Sequence, residues 1–272
     1  MGFKLFLQES LKGISQEELG KLPSGYQRIG DIVVLHIPKE IRGVEKEIGA
    51  LVRERLGVKS VFRKGVVSGE LRKPSLKRIA GRVNTTIHQE NGCRFKIDVT
   101  KVMFSRGNSF ERGRVIAGDG ETVLDMFAGI GYFSIPLAKK TPSCNVVAVE
   151  KNPVAVKFLR ENLRLNKLEN VEVFQGDCRD VEGVKADRIL MGYFPGTDAF
   201  LPAAFSFLRR QGVIHFHNLY RRGELWRGPL GTLETQALAN GYRLERVLAK
   251  RIVKPYSPCK VHAVVDVRVK KT

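Results

Sequence analysis

Cysteine is scarce in this sequence, and the four copies lie far apart, at Cys93, Cys144, Cys178 and Cys259. None of them forms the closely spaced pair typical of a zinc site or a disulfide framework, so no metal site is predicted. No run of eighteen apolar residues occurs, and an acidic residue arrives too early for a secretory signal. These absences argue against a membrane-spanning protein or a secreted disulfide scaffold, and they favour the reducing cytoplasm.

Acidic residues are also few compared with basic ones. The chain has 47 lysines and arginines against 28 aspartates and glutamates, a formal charge of +19. Such a charge points to a partner rather than to a fold, and the polyanion that fits it best is nucleic acid. An anionic membrane surface is the competing partner, but no strongly basic amphipathic stretch supports it. Hydrophobic residues make up 43% of the 272 positions, so a sizeable folded core is expected.

Residues 1–82 are predicted to form a smaller N-terminal α+β domain. Asp31–Ile37 and Ser60–Phe62 have the β-branched or apolar composition of strands, and Val44–Leu56 has the spacing of an amphipathic helix. The following stretch, Arg63–Arg82, has little apolar content, so it is expected to be a basic hairpin or a linker. Its candidates for phosphate contact are Arg63, Lys64, Arg72, Lys73, Lys77 and Arg78, and the loop Lys254–Lys260 is a second candidate surface.

Residues 83–272 show the alternation of strands and helices that is typical of a doubly wound α/β domain. Two short antiparallel strands joined through Glu90–Gly92 are expected first. Seven strands of one mostly parallel sheet follow, and the last two should pair antiparallel because no helix separates them. The predicted strands are Thr122–Met126, Asn145–Glu150, Val171–Gln175, Arg188–Met191, Gly212–His217, Glu245–Val253 and His262–Val269. The predicted helices are Tyr132–Lys139, Pro153–Asn166, Leu201–Leu208 and Gly231–Asn240.

The strongest local motif is the glycine turn between Asp125 and Gly131, after a hydrophobic strand and at the start of a helix. Gly129 and Gly131 permit a tight turn and a close approach of the backbone to a ligand. Residue 127 is Phe and residue 134 is Ser, so the motif does not match the dinucleotide fingerprint. An acidic residue just before the glycines suits the amino-acid portion of S-adenosylmethionine instead.

Carboxylates also follow the next two predicted strands. Glu150 ends the second strand, where it can accept hydrogen bonds from both hydroxyls of a ribose. Asp177 follows the third strand and can reach the exocyclic amine of adenine, although aspartate is also a common turn residue. Three carboxylates at the carboxyl edge of one sheet predict a single nucleoside groove, an inference stronger than any one of them allows.

Four segments together resemble the archaeal tRNA wybutosine-synthesising aminocarboxypropyltransferases, which are relatives of the tRNA guanine-N1 methyltransferases. They are Phe104–Arg112, Asp125–Gly131, Val149–Pro153 and Asp187–Tyr193, and the resemblance extends over residues 20 to 270. It implies a Rossmann-like class I S-adenosylmethionine-dependent transferase domain with a seven-stranded sheet. It further implies a cytoplasmic enzyme that modifies tRNA, with tRNA-Phe as the expected species and no obligate protein partner.

The implied reaction is transfer of the 3-amino-3-carboxypropyl group to 4-demethylwyosine next to the anticodon. The alternative is methylation of N1 of guanine at the same position. Gly107-Asn108 resembles the transferases, since the methyltransferases have Arg-Leu there. Met191–Phe194 replaces the Asn-Pro-Pro type of element found in N-methylating enzymes, while Arg106 departs from the proline that is more usual in the family. The cofactor-binding positions implied by resemblance are Ser105, Arg112, Glu150, Asp177 and Cys178.

The catalytic base is not assigned by the sequence, because His215, His217 and Asp177 all remain candidates. Two other interpretations are possible. A nucleic-acid-binding module with a vestigial pocket is disfavoured by the intact Gly129, Gly131 and Glu150. A small-molecule or protein methyltransferase is disfavoured by the charge and by the N-terminal domain.

Overall fold

A computed structural model describes residues 2–68 and 73–272 of the chain. They divide into an N-terminal unit, which ends at Glu90 and also includes Arg94–Arg106, and a C-terminal unit of Asn91–Cys93 and Gly107–Thr272. The predicted domain limits, 1–82 and 83–272, differ from these units chiefly in the assignment of residues 83–90 and 94–106. Among the described residues, no helix has the length and apolar character needed to cross a bilayer.

In its described residues, the N-terminal unit combines three α-helices and one 3-10 helix, Lys39–Val44, with two small sheets. The helices are α1 (Phe3–Ser10), α2 (Gln16–Gly20) and α3 (Glu45–Leu56). The strands are β1 (Gln27–Ile29), β2 (Ile32–Leu35), β3 (Ser60–Ser68), β4 (Lys73–Gly81), β5 (Thr85–Glu90) and β6 (Cys93–Asp98). The first four strands form one sheet in the order β1-β2-β3-β4, and β5 pairs with β6.

The chain crosses from β2 to the parallel strand β3 through α3, whose Ile48 and Val52 are buried against the sheet core. Strands β3 and β4 pair antiparallel, so Arg63–Arg82 supplies the two arms of a hairpin rather than a linker. Arg72 lies outside the described residues. Asn91 and Gly92 join β5 to β6 and both have positive φ, which suits the tight hairpin that the sequence predicts there.

The C-terminal unit contains five α-helices and seven strands of one sheet. The helices are α4 (Ser109–Arg114), α5 (Ser134–Lys140), α6 (Pro153–Asn166), α7 (Leu201–Phe207) and α8 (Arg227–Ala239). The strands are β7 (Thr122–Asp125), β8 (Asn145–Glu150), β9 (Val171–Gln175), β10 (Ala186–Met191), β11 (Leu208–Arg221), β12 (Tyr242–Pro255) and β13 (Lys260–Lys271).

The strand order is β12-β13-β11-β10-β7-β8-β9. The five strands from β11 to β9 are parallel, whereas β13 is antiparallel to β11 and β12 is antiparallel to β13. The predicted Rossmann-like sheet and its antiparallel ending are therefore confirmed. Strand order reverses at β7, which has β8 on one side and β10 on the other. In open α/β sheets, a crevice for ligands forms at such a reversal, beyond the carboxyl ends of the strands.

Apolar side chains cover both faces of this sheet. Phe205 and Leu233 from α7 and α8 pack on one face with Ile189 and Phe216. On the other face, Leu137 of α5 joins a second buried cluster. The stripe of α6 that the sequence predicts as core is also confirmed, because its four members are all buried: Ala155, Phe158, Leu159 and Leu163.

Candidate active site

The glycine turn connects the end of β7 to α5. Gly129 and Gly131 have φ values of +58° and +98°, in the left-handed region that L side chains rarely adopt. A Cβ atom at Gly131 would lie 2.4 Å from Cδ1 of Ile135 and 3.0 Å from Cδ1 of Leu159. At Gly129, a Cβ atom would meet the Tyr132 ring at 2.7 Å. The turn therefore requires glycine at both positions, for conformation and for space.

Asp125 is completely buried at the base of this turn. Its Oδ2 accepts a 2.6 Å hydrogen bond from the Ser134 hydroxyl, and its Oδ1 accepts one from the Phe127 N–H at 3.3 Å. Burial raises the pKa of Asp125 from 3.8 to about 6, and these hydrogen bonds offset only part of that effect. The carboxylate thus organises the turn from inside, while its predicted contact with a ligand remains a prediction.

Glu150 ends β8 and bonds directly to the glycine turn. Its Oε2 accepts a hydrogen bond from the Gly129 N–H at 2.8 Å, and its Oε1 accepts one from the Asn152 N–H at 2.7 Å. Burial raises the pKa of this carboxyl above its usual value. Because each carboxylate oxygen can accept more than one hydrogen bond, both oxygens keep capacity for ribose hydroxyls. The Gly176 N–H donates to the backbone oxygen of Glu150 and so ties the end of β9 to the same edge.

Asp177 and Cys178 follow β9. Both carboxylate oxygens of Asp177 accept from the Arg179 guanidinium, at 2.8 and 2.7 Å, and Lys151 Nζ lies 3.5 Å away. The Arg179 hydrogen bonds hold the pKa of Asp177 well below its usual range. Burial raises the pKa of the Cys178 thiol to about 12, so this cysteine is a neutral side chain at physiological pH.

Arg112 reaches the glycine turn through an aromatic side chain. It lies on α4 with only 2% of its surface exposed, and its guanidinium carbon is 5.6 Å from the centre of the Tyr132 ring. The same ring covers Gly129. Tyr132 therefore contacts both Arg112 and Gly129, and Gly129 in turn bonds to Glu150. Ser105 belongs to the N-terminal unit, so its predicted cofactor contact remains a prediction.

Sequence reasoning missed an aromatic cluster beyond the ends of β7 and β10. The rings of Phe127 and Tyr193 stack with centroids 5.0 Å apart, and Phe200 packs edge-on against Phe127 at 5.0 Å. Arg179 lies over Phe200 at 5.1 Å, which links the cluster to Asp177. The sequence contains a signal for this cluster, because Phe127 and Tyr193 each come two residues after the end of a strand. Flat, partly exposed rings at this edge are suited to stacking with a planar base.

The two candidate histidines of β11 are held by other side chains. His215 lies between Arg188 and Asp266, with its Nε2 2.8 Å from Arg188 and its Nδ1 2.8 Å from Asp266. The geometry of the contact with Asp266 does not meet that of a hydrogen bond. Burial lowers the pKa of His217 to about 3, and its Nδ1 lies 3.0 Å from Nε2 of His262. His217 is therefore neutral, and the base remains unassigned.

Comparison with known proteins identifies the family. A family model described as the TRM5/TYW2 methyltransferase domain matches residues 86–245, and one described as the TYW2 N-terminal domain matches residues 7–85. The chain belongs to the TRM5/TYW2 family. It is 43% identical to the tRNA(Phe) (4-demethylwyosine(37)-C(7)) aminocarboxypropyltransferase of Methanocaldococcus jannaschii, over 90% of this chain and 98% of the relative.

Family members of each of the two activities resemble the chain. The tRNA (guanine(37)-N(1))-methyltransferase Trm5b of Pyrococcus abyssi is 42% identical over 94% of this chain and 78% of its own length. The crystal structure of Pyrococcus horikoshii TYW2 in complex with MeSAdo superposes with a TM-score of 0.87 at 36% identity, covering 98% of this chain and 99% of that one. The chain thus shares its fold with the TYW2 structure, and it matches relatives of both named activities in sequence.

Proposed function

We propose that this chain transfers the 3-amino-3-carboxypropyl group of S-adenosylmethionine to 4-demethylwyosine, next to the anticodon of tRNA-Phe, in wyosine-derivative biosynthesis. The observation that carries the proposal is the bonded unit of the glycine turn and Glu150, which is a cradle for a nucleoside at the reversal point of the sheet. The named activity of the Methanocaldococcus relative supports it, as does the MeSAdo-bound Pyrococcus structure. MeSAdo, 5′-methylthioadenosine, is what remains of the donor once its aminocarboxypropyl group has left.

Different residues of the site bind different parts of the donor. Glu150 accepts hydrogen bonds from the ribose hydroxyls, and Asp177 with the backbone N–H of Cys178 holds the adenine. The backbone of Gly129 and Gly131 lies against the adenosyl group, in space that any side chain would fill. Asp125 holds the turn in shape from inside, next to the methionine arm.

Arg112 binds the carboxylate of the methionine arm through its forked guanidinium. The buried position of Arg112 excludes water around the pair, which strengthens a charge-assisted hydrogen bond. Ser105 is a further proposed donor ligand. Because the carboxylate and the adenosine of the donor are both held, the methylene next to sulfur is the carbon presented to the acceptor.

The reaction forms one carbon–carbon bond and breaks one carbon–sulfur bond. The base carbon attacks the methylene that adjoins the sulfonium, the carbon–sulfur electron pair goes to sulfur, and methylthioadenosine leaves. The ring proton at the attacked carbon then departs to a base. Because sulfonium is already an activated leaving group, positioning and exclusion of water supply most of the acceleration.

The choice of carbon–carbon bond formation over N-methylation is supported by the loop after β10. Gly192 begins this loop and has no side chain that could hold a ring nitrogen. Tyr193 stacks on Phe127 and supplies an apolar, flat surface instead. A base that lies on this surface exposes its ring atoms to the donor without a specific polar contact to N1.

The tRNA contact is proposed to include the turn between β12 and β13. Lys254 and Lys260 flank this turn, and Tyr256 within it is 55% exposed. In the N-terminal hairpin, Arg63 and Lys77 both bond to Glu45, at 2.7 and 2.6 Å, so part of that predicted phosphate surface is neutralised internally. The remaining cationic side chains there include Lys64 and Arg78.

The proposed enzyme acts in the cytoplasm on donor and tRNA alone. Its four cysteines are free thiols, as expected in a reducing compartment.

The by-product of the reaction decides between the two activities of the family. Protein is incubated with S-adenosylmethionine labelled in the aminocarboxypropyl arm and with demethylwyosine-bearing tRNA. We expect label in the tRNA nucleoside and methylthioadenosine in solution. S-adenosylhomocysteine with a methylated nucleoside would contradict the proposal and favour the guanine-N1 activity of the Trm5b relative, for which tRNA with unmodified guanine is the parallel substrate.

A further inference from the structure

We propose that a buried chain of charged side chains positions Arg112 for the carboxylate of the donor, acting through Asp266 and Arg114. The inference rests on the proposed function, since it concerns how that site recognises the methionine arm. The buried charge chain runs through the C-terminal unit, and its members are Glu121, Arg188, His215, Asp266, Arg114, Glu111 and Arg251. Its name refers to Glu111, His215 and Asp266, which are buried, whereas Arg251 at its end is exposed.

Successive members of the chain are in contact. Arg188 pairs with Glu121 through Nε at 2.8 Å and reaches His215, which faces Asp266. The other oxygen of Asp266 accepts from Arg114 at 2.6 Å. Arg114 then donates to Glu111 at 2.5 Å, and the second oxygen of Glu111 accepts from Arg251 at 2.8 Å. The chain therefore connects strands β10, β11 and β13 to helix α4, which carries Glu111 and Arg114.

Helix α4 depends on such contacts for its position. It has six residues, and Asn108 before it makes no side-chain capping bond. A helix this short is not stable alone, so tertiary contacts must hold it. The Asn91 side chain donates to the Ser109 oxygen at 2.9 Å at its start, and Lys140 donates to the Gly113 oxygen near its end. Two ionic contacts join α4 side chains to the sheet, Arg114 with Asp266 and Glu111 with Arg251, and both belong to the buried charge chain.

Arg112 lies between Glu111 and Arg114 in α4 and contacts Tyr132 beside the glycine turn. Its guanidinium is over Tyr132, and that ring covers Gly129 of the nucleoside cradle. A shift of α4 along the sheet would therefore move Arg112 relative to the glycine turn. Stability alone does not account for this buried charge chain, since well-packed apolar residues often replace buried ion pairs without loss. The buried charge chain fixes the orientation of α4 more specifically than apolar packing would.

The test compares two ligands that differ in the methionine arm. Calorimetry measures the affinity of each protein for S-adenosylmethionine and for 5′-methylthioadenosine, which has the nucleoside but no carboxylate. In Asp266→Asn, we expect affinity for S-adenosylmethionine to fall about tenfold, the value of one charge-assisted hydrogen bond, while affinity for methylthioadenosine changes less than about twofold. Asp266→Glu keeps the charge and should restore part of the difference.

Glu45→Gln is the matched control, because it removes a buried carboxylate with two cationic partners in the N-terminal unit. It should leave the ratio of the two affinities at the wild-type value. Arg114→Lys, which keeps the charge but loses the second guanidinium contact, gives the same test if Asp266→Asn does not fold. Equal losses for both ligands, or no loss, would overturn the positioning role. Failure of the wild-type protein to bind either ligand would instead overturn the proposed function.

Discussion

Asp125 and Asp266 are both buried carboxylates of the same sheet, yet their surroundings differ. Asp125 receives hydrogen bonds from a hydroxyl and a backbone N–H, but no cation contacts it among the described residues, and its pKa rises to about 6. Burial would also raise the pKa of Asp266, but His215 and Arg114 lower it below the usual range. The carboxylate at the strand end thus has no cationic partner among those residues, whereas the buried charge chain compensates its charges internally.

The two carboxylates therefore differ in the free-energy cost of keeping a buried charge. A buried anion without a counter-ion is destabilising unless a partner arrives, and the donor of the proposed reaction brings a sulfonium and an ammonium. Asp266 has its partners permanently and serves the arrangement of α4. The two sites should therefore respond in opposite ways when the carboxylate is made neutral.

The largest effect is expected for Asp266→Asn. It removes the buried anion that pairs with the partly buried guanidinium of Arg114, so the free energy of unfolding should fall by about 3–5 kcal/mol at neutral pH. Urea denaturation measures it. Asp119→Asn is the control, because Asp119 is exposed in a loop and should cost less than about 0.5 kcal/mol. Equal losses of unfolding free energy in the two variants would show that the buried charge chain contributes no net stabilisation.

The difference in stability between the wild type and Asp125→Asn should depend on pH. The folded protein binds a proton at Asp125 up to a pH of about 6, but the unfolded chain loses it near 3.8. Stability of the wild type relative to the variant should therefore decrease by about 3 kcal/mol as pH rises from about 4 to 6, and then stay level. Denaturation of both proteins across this range gives the difference. A difference that rises with pH would mean that the Asp125 anion is stabilised by folding.

The same contrast explains what the sequence could predict. The bounds of β8, β9 and α6 agree with the predicted ones, because apolar periodicity and an N-terminal proline mark them locally. The glycine turn and Glu150 were predicted to share one ligand groove, and the structure joins them by a hydrogen bond. Parallel strands bring their carboxyl ends to one edge in any such sheet, so order along the chain was sufficient.

Helix α4 and its charges could not be predicted in this way. Glu111, Arg112 and Arg114 have the composition of an exposed segment, since charged residues are seldom buried without partners. Those partners, Arg251 and Asp266, are far away in the sequence and meet α4 only in the folded sheet. The aromatic cluster of the site was missed for the same reason, because its members are brought together by strand order.

A smaller loss of stability should distinguish steric crowding from backbone strain at the glycine turn. Gly131→Ala and Gly183→Ala both place a side chain at positive φ, but only Gly131 has neighbours that a Cβ atom would meet. The strain of the left-handed region costs about 1–2 kcal/mol in each, and overpacking adds about 1–3 kcal/mol at Gly131 alone. Denaturation should show this excess. Equal losses would mean that the site accommodates a methyl group and that the cradle is looser than its contacts indicate.

The smallest free-energy change is expected for Glu150→Gln. An amide keeps the shape and one acceptor oxygen but loses the charge, so affinity for S-adenosylmethionine should fall by about tenfold, or about 1.4 kcal/mol. Folding stability should change little, because burial already disfavours the Glu150 anion. Glu172→Gln on the neighbouring strand β9 is exposed and serves as the control for calorimetry. If Glu150→Gln instead destabilised the fold as strongly as Asp266→Asn, the carboxylate would be structural, and the contrast between a ligand site and an internally compensated chain would no longer hold.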